Sequence, residues 1–374
     1  MGRRAFSQRN RQIIASSSAV HSSILPRPTK VGTTNNSPLL ENPPNSLRPA
    51  TPYATMRGIR FNSTCKEFLM SRFISVRWML SLTVLTALFA CLPLCSAQDA
   101  DSFSVVILPD TQYYSETYHD TYPVQTQWIA DIAQERNLAC VLHVGDLVQN
   151  PSVEDEWKVA SAAHEILDET DVPYCIAIGN HDGLVGDREL YNKYFPPSRL
   201  QRPLDDAWYG GNRTGTNDSN FTQFRAGGMD FLVICLEYDP SAEVLEWAGH
   251  VAKAHPNHRA IVVTHAYMSG NGRNAVGARV WDGLISQNPN ISMVVCGHIS
   301  TIAHQESINE AGGTVHEILC DYQGRPNGGD GWLQTMRFIP SEDKIEVESY
   351  SPKLDESQTE EPHQYTLEYD MTGE

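Results

Sequence analysis

Short apolar, β-branched runs recur along the chain from Asp101 onward. Phe103–Leu108, Cys140–Val144, Tyr174–Ile178, Phe231–Leu236, Ala260–Val263 and Ser292–Val295 are continuous enough to predict buried strands. Between most of them the period changes. Val124–Arg136 places Trp128, Ile129 and Ile132 on one helical face, Glu154–Leu167 follows the start signal Pro151-Ser152, and Ala242–Ala254 carries Val244, Leu245, Ala248 and Val251 at helical spacing. This β-α-β rhythm predicts an α/β class, with two packed sheets suiting a domain of this length. The tail is different. Thr314–Leu319, Leu333–Ile339 and Lys344–Tyr350 follow one another without a helix, which predicts antiparallel strands at the C-terminal end. Pro196–Asn220, dense in Gly, Asn, Asp and Pro, predicts a long surface loop.

The front of the chain obeys other rules. Met79–Leu94 is a 16-residue run without charge, preceded by Arg72 and Arg77 and followed by the small residues Cys95-Ser96-Ala97. That order describes a secretory signal peptide over residues 70–97, cleaved to leave a secreted or periplasmic protein. An uncleaved membrane anchor is the alternative, although a spanning helix needs about 20 residues. Residues 1–69 are Ser-, Pro-, Asn- and Arg-rich without periodicity and predict disorder. A start at Met70 would give a well-proportioned signal, which points to an upstream start-codon assignment for residues 1–69. The mature domain is then 98–374.

Charge divides at the same place. The chain has 374 residues and a formal net charge of -17, yet residues 1–97 hold 12 basic and 2 acidic side chains. The excess of negative charge therefore lies wholly in the body, and no nucleic-acid binding is expected of it. The five cysteines of the body each sit in or beside an apolar run, with no Cys-x-x-Cys, so they predict buried strand thiols rather than a disulfide framework.

Candidate chemistry lies just past the strands. Phe103–Leu108 leads to Asp110-Thr111-Gln112, Cys140–Val144 to Gly145-Asp146, Tyr174–Ile178 to Gly179-Asn180-His181-Asp182, Ala260–Val263 to Thr264-His265, and Ser292–Val295 to Gly297-His298. The intervals Asp110 to Asp146, Asp146 to Asn180 and His265 to His298 are 36, 34 and 33 residues, the length of βαβ crossovers. Strands so joined end at one sheet edge, where α/β sites form. A single Gly-Asp after a strand is usually a turn or a helix cap. The ordered set of all five is a mixed carboxylate, amide and imidazole group suited to divalent metals. His143 reads as a core histidine and His304 as a structural or exposed one. His164-Glu165 and His316-Glu317 lack the second His of a zinc helix. Tyr113, Tyr114, Trp208, Tyr209, Tyr267 and Trp332 are divided between cleft and packing.

On these motifs the chain from about Phe103 to Pro352 resembles the calcineurin-like metallophosphoesterase superfamily. The resemblance implies a two-sheet β-sandwich flanked by helices and a phosphatase or phosphodiesterase with a two-metal centre, acting on a small or macromolecular phosphoester. It implies Asp110 on the first metal, Asp146 bridging both, and Asn180, His265 and His298 on the second. His181 would be the general acid, with Asp182 orienting it. The family pattern has Asp-x-His where this chain has Gln112, and Gly-His-x-His where it has Ser300. Gln112 then offers a neutral carbonyl, which implies Mn or Mg at the first site and Mn, Fe or Zn at the second. The same two departures leave open a non-catalytic member that binds a metal or phospho-ligand. The Asp-Thr-Gln motif, together with Asp321-Tyr322-Gln323, Gly331-Trp332 and Tyr350-Ser351-Pro352, resembles a secreted bacterial subgroup of the superfamily.

Overall fold

Among the described residues, fourteen strands make two seven-stranded sheets, with a further hairpin of two short strands, Met268–Ser269 and Gly272–Arg273. The computed structural model describes residues 101–184, 187–201 and 208–371, so the expectations for residues 1–97 lie outside it. In the first sheet Phe103–Leu108, Leu138–His143 and Tyr174–Ile176 are parallel neighbours. Leu333–Ile339 pairs antiparallel with Phe103–Leu108, and Lys344–Ser351 pairs antiparallel with Leu333–Ile339. In the second sheet Met229–Cys235, Arg259–Val263, Ile291–Cys296 and Thr314–Cys320 run parallel in that spatial order.

Side-chain alternation along a strand explains the layering. Phe103, Val105 and Ile107 join the cluster between the sheets, whereas Val106 and Leu108 join the one that includes Ile129, Trp157 and Leu167 of the helices Thr121–Ile132 and Glu154–Asp168. Phe231, Val233 and Cys235 likewise face the first sheet. Leu232 and Ile234 face Val244, Leu245 and Ala248 of the helix Ala242–Ala254. Each sheet is therefore covered on both faces, which is why its parallel strands read as continuous apolar runs.

Two expectations change. Thr314–Cys320 does not join the antiparallel tail, because an unforeseen strand, Ile302–Ile308, forms an antiparallel hairpin with it. That hairpin turns Thr314–Cys320 parallel to Ile291–Cys296 in the second sheet. Leu333–Ile339 and Lys344–Ser351 belong to the first sheet, so the chain changes sheets between Cys320 and Leu333. The segment expected as a long loop holds a short helix, Pro197–Leu200, and an edge strand, Tyr209–Asn212. The five cysteines are free and buried, as the apolar runs around them suggested.

The intersheet core is anchored at the amino end of Phe103–Leu108. Phe103 stacks on Phe338 at 4.6 Å between centroids and meets Phe231 edge-on at 5.6 Å. Phe103→Ala should therefore lower unfolding stability in urea by about 3–5 kcal/mol. Metal binding by the folded fraction should not change, because the polar clusters lie at the other end of the strand.

Candidate metal centre

Parallel strands in both sheets end at one edge, and the polar clusters meet there. Asp110 lies two residues past Leu108, His265 two past Val263, and His298 two past Cys296. One carboxylate oxygen of Asp146 is 3.2 Å from His265 Nε2. The same nitrogen is 3.1 Å from Asn180 Oδ1 and 3.2 Å from His298 Nδ1. Asp110 Oδ2 stands 3.9 Å from it. Asp146, His265 and His298 can offer ligand atoms all within 4.8 Å of one another. His265 Nδ1 donates to the carbonyl of Val144 at 2.9 Å, a bond between the sheets that aims Nε2 at the cluster. Asp110, Gln112, Asp146 and His265 are buried, while Asn180, His181 and His298 are half-buried and form the mouth.

The loops holding these residues are tightly determined. Asp146 and His298 adopt positive φ, 53° and 74°, a conformation uncommon outside glycine. A Cβ on Gly179 would overlap the Asp146 carboxylate and backbone nitrogen, and one on Gly297 would overlap the Asp110 carboxylate. Glycine is required at both because the loop backbone rests on the carboxylates. His143 Nδ1 accepts from the Gly145 amide at 3.1 Å, so its proton is on Nε2, facing Thr111 Oγ1 at 3.1 Å and Tyr122 Oη at 2.9 Å. Burial holds its pKa well below the ordinary value, so this imidazole is a neutral prop beneath the site.

Electrostatics follow from carboxylates removed from water. Burial pushes the Asp110 pKa well up, and Asp321 and Asp146 push it further. Burial also opposes charge on His265, but Asp146 and Asp110 outweigh it and raise that pKa to about 10. The cluster thus demands positive charge at its centre. Its donors are carboxylate, amide and imidazole atoms, and the carbonyl oxygen of the buried Gln112 has no hydrogen-bond partner. This donor set fits divalent cations.

His181 sits beside the cluster. Its backbone N–H donates to Asp146 Oδ1 at 2.9 Å, and its Nδ1 donates to the Gln149 carbonyl at 2.9 Å. Glu156 fixes that carbonyl by accepting from the amides of Gln149 and Asn150 at 2.8 and 2.9 Å. Asp182 does not orient His181. Its fully buried carboxylate accepts from the amides of Leu147, Val148 and Gly179 at 2.7, 3.2 and 2.9 Å. Through these three bonds it splices the Asp146 loop to the Asn180 loop. Burial and the Asp146 charge raise its pKa to about 7.

Residues outside the expected set also reach the centre. Asp321 lies one residue past Cys320, is buried, and has its pKa raised to about 6, mainly by burial. Gln323 Nε2 donates to Asp321 Oδ2 at 2.8 Å and approaches Asp110 Oδ2 at 3.4 Å. The rule that found the other clusters would have found Asp321 had its strand been placed in the parallel set. Tyr238, three residues past Cys235, lies 5.6 Å from His298 and 5.9 Å from His265 by ring centroids. Of the six aromatics divided between cleft and packing, Tyr114, Trp208, Tyr267 and Trp332 are buried packing residues. The second His of the family pattern is replaced by Ser300, whose Oγ accepts the Gly324 amide at 2.6 Å.

The family described as calcineurin-like phosphoesterase matches residues 103–301. The uncharacterised protein YvnB of Bacillus subtilis strain 168 is 32% identical over 264 residues, which are 67% of this chain and 20% of that protein. The chain thus spans about a fifth of that relative's length. A dimetal phosphatase from Danio rerio is 13% identical with a TM-score of 0.46, over 72% of this chain and 99% of that one. A purple acid phosphatase from yellow lupin seeds, Lupinus luteus, is 12% identical with a TM-score of 0.47, over 72% of this chain and 54% of that one.

Asp182→Asn keeps the side chain's shape but leaves the Gly179 amide or a Leu147/Val148 amide without its acceptor. A buried unmet donor costs about 1–3 kcal/mol. The variant should lose stability on that scale in urea and lose bound metal in parallel, because the two ligand loops come apart. Full stability and metal content with a selective loss of turnover would return Asp182 to an orienting role.

Proposed function

The chain belongs to the calcineurin-like phosphoesterase family, and on that premise we propose a secreted, metal-dependent hydrolase of phosphoric esters in which His181 handles the leaving-group proton. The observation that carries this reading is the convergence of Asp110, Asp146, Asn180, His265 and His298, with His181 tied to Asp146 at its rim. The donor set suits two divalent ions. Asp110, Gln112 and Asp146 would hold Mn or Mg, and Asp146, Asn180, His265 and His298 would hold Mn, Fe or Zn. When bound, such ions offset the charge of a phosphoester and lower the pKa of water from about 15.7 toward about 7.

The protein's own part is positioning and proton transfer. The Gln149 carbonyl can only accept, so His181 Nδ1 carries a fixed hydrogen and proton exchange falls to Nε2. The backbone bond from His181 to Asp146 holds that imidazole at a set distance from the Asp146 carboxylate. His181 Nε2 would protonate the departing oxygen as the phosphorus–oxygen bond breaks. Tyr238 stands against the imidazole pair and would limit how a substrate enters.

Export is supported by the apolar run Met79–Leu94, its basic flank and its small-residue exit. A phosphoester is the expected partner, and the acidic body argues against nucleic acid.

His181→Asn should reduce kcat on an aryl phosphate or aryl phosphodiester with Mn²⁺ by about 10²–10⁴. Metal content should stay near wild type. Joint loss of metal and activity would make His181 a ligand or a structural residue instead. N-terminal sequencing of exported material should find a chain beginning near Gln98, and a mature chain starting before Met70 would refute the start-site reading.

A further inference from the structure

We propose that Asp321, with the carboxamides of Gln112 and Gln323, completes an oxygen-only cation site beside Asp110 and Asp146, selective for a hard divalent ion such as Mn²⁺ or Mg²⁺. The proposal rests on the metallophosphoesterase reading and assigns residues of this chain to its first metal.

The five side chains are joined in one hydrogen-bonded chain. Gln323 Nε2 is shared between Asp321 Oδ2 and Asp110 Oδ2. Gln323 Oε1 in turn accepts from Gln112 Nε2, which also donates to Asp146 Oδ2 at 3.2 Å. Asp110, Asp146 and Asp321 are each 1% exposed, so the three carboxylates have almost no water to screen them. An acidic cluster alone would prove nothing. Here Gln112 is itself 1% exposed, and its Oε1 has no hydrogen-bond partner. Turned toward the carboxylates, that unpartnered carbonyl oxygen would become a ligand for a cation.

Carboxamides suit this task. Their oxygen and nitrogen are nearly alike in shape, so a half-turn of the end group exchanges a donor for an acceptor. With nitrogens inward, Gln112 and Gln323 hold the carboxylates apart as donors. With oxygens inward, they become neutral ligands.

The neighbouring backbone explains why imidazoles are missing from this side. Ser300 Oγ accepts the Gly324 amide at 2.6 Å, and the Asp321 amide donates to the Thr301 carbonyl at 3.1 Å. A Cβ on Gly324 would overlap Ser300. The turn carrying Asp321 and Gln323 therefore lies directly against the position where the family pattern has its second His. Ser300 is small because the turn occupies that space. Oxygen-only ligation favours Mn²⁺ or Mg²⁺ over Zn²⁺.

The test is Mn²⁺ titration of chelator-stripped protein, with free Mn²⁺ counted by its electron paramagnetic resonance signal. Wild type should bind two equivalents, one tighter. Asp321→Asn should weaken the looser equivalent at least about tenfold, and leave the tighter within about twofold. Gln323→Glu adds charge to the cluster and should tighten the looser equivalent, a gain that a merely structural turn would not give. Should Asp321→Asn fail to fold by circular dichroism, Gln323→Glu decides alone. A single wild-type equivalent, a looser equivalent indifferent to Gln323→Glu, or equal weakening of both in folded Asp321→Asn would overturn the proposal. Turnover of the loaded wild type, assayed separately, tests the hydrolase reading: two bound equivalents, the looser alone dependent on Asp321, without turnover would refute that reading and leave the cation site standing.

Discussion

Everything at this sheet edge answers to the repulsion among Asp110, Asp146 and Asp321. Each is buried, and Asp110 is pushed toward its neutral form first by burial and then by the other two. Carboxylates out of water persist only with hydrogen-bond donors or positive charge nearby. The chain supplies donors from loop backbone, with the His181 amide on Asp146 and the His298 amide 3.1 Å from Asp110. It supplies charge through His265. Neither is sufficient for three carboxylates, which is the physical basis for a centre built to hold cations.

The fold delivers those carboxylates from two sheets. Asp110 and Asp146 come from the first sheet, and His265, His298 and Asp321 from the second. The geometry therefore depends on how the sheets register, and specific contacts fix it. His265 reaches across to the Val144 carbonyl. Arg188, buried, binds the Gly183 carbonyl, Asp218 and Glu237, tying the His181 loop to the segment that bears Tyr238. Removing one partner from such a buried ion pair usually leaves an uncompensated charge, so this clamp is as much a part of the site as the ligands it spaces.

The sequence made the strand ends legible because the fold class obeys a simple rule: a buried parallel strand is apolar, and function begins where it stops. Phe103–Leu108 and Ala242–Ala254 appear with the expected bounds, while Tyr174–Ile176 ends two residues early. What stayed hidden was pairing. Ile302–Ile308 reads Ile-Ala-His-Gln-Glu-Ser-Ile, too polar to announce a strand, and without it Thr314–Cys320 seemed part of the antiparallel tail. Asp321, quoted only as part of a late motif, was not counted among the site residues for that reason. Asp182 failed differently. Residue type and proximity to His181 suggested a partnership, but sequence carries no direction for a side chain, and backbone amides claimed the carboxylate first.

The cysteines carry a consequence for the lifetime of the protein. Cys140, Cys175 and Cys235 lie close enough between the sheets for their thiols to hydrogen-bond, and burial raises the Cys175 pKa well above the ordinary thiol value. Folded, they are shielded and poorly nucleophilic. Unfolded, they become ordinary thiols on one chain, free to couple wrongly with each other or with other molecules. Such cross-links would bar return to the sandwich, so in air or any oxidising medium denaturation becomes a one-way event. Durability is then governed by how rarely the sheets part, a rate rather than an equilibrium.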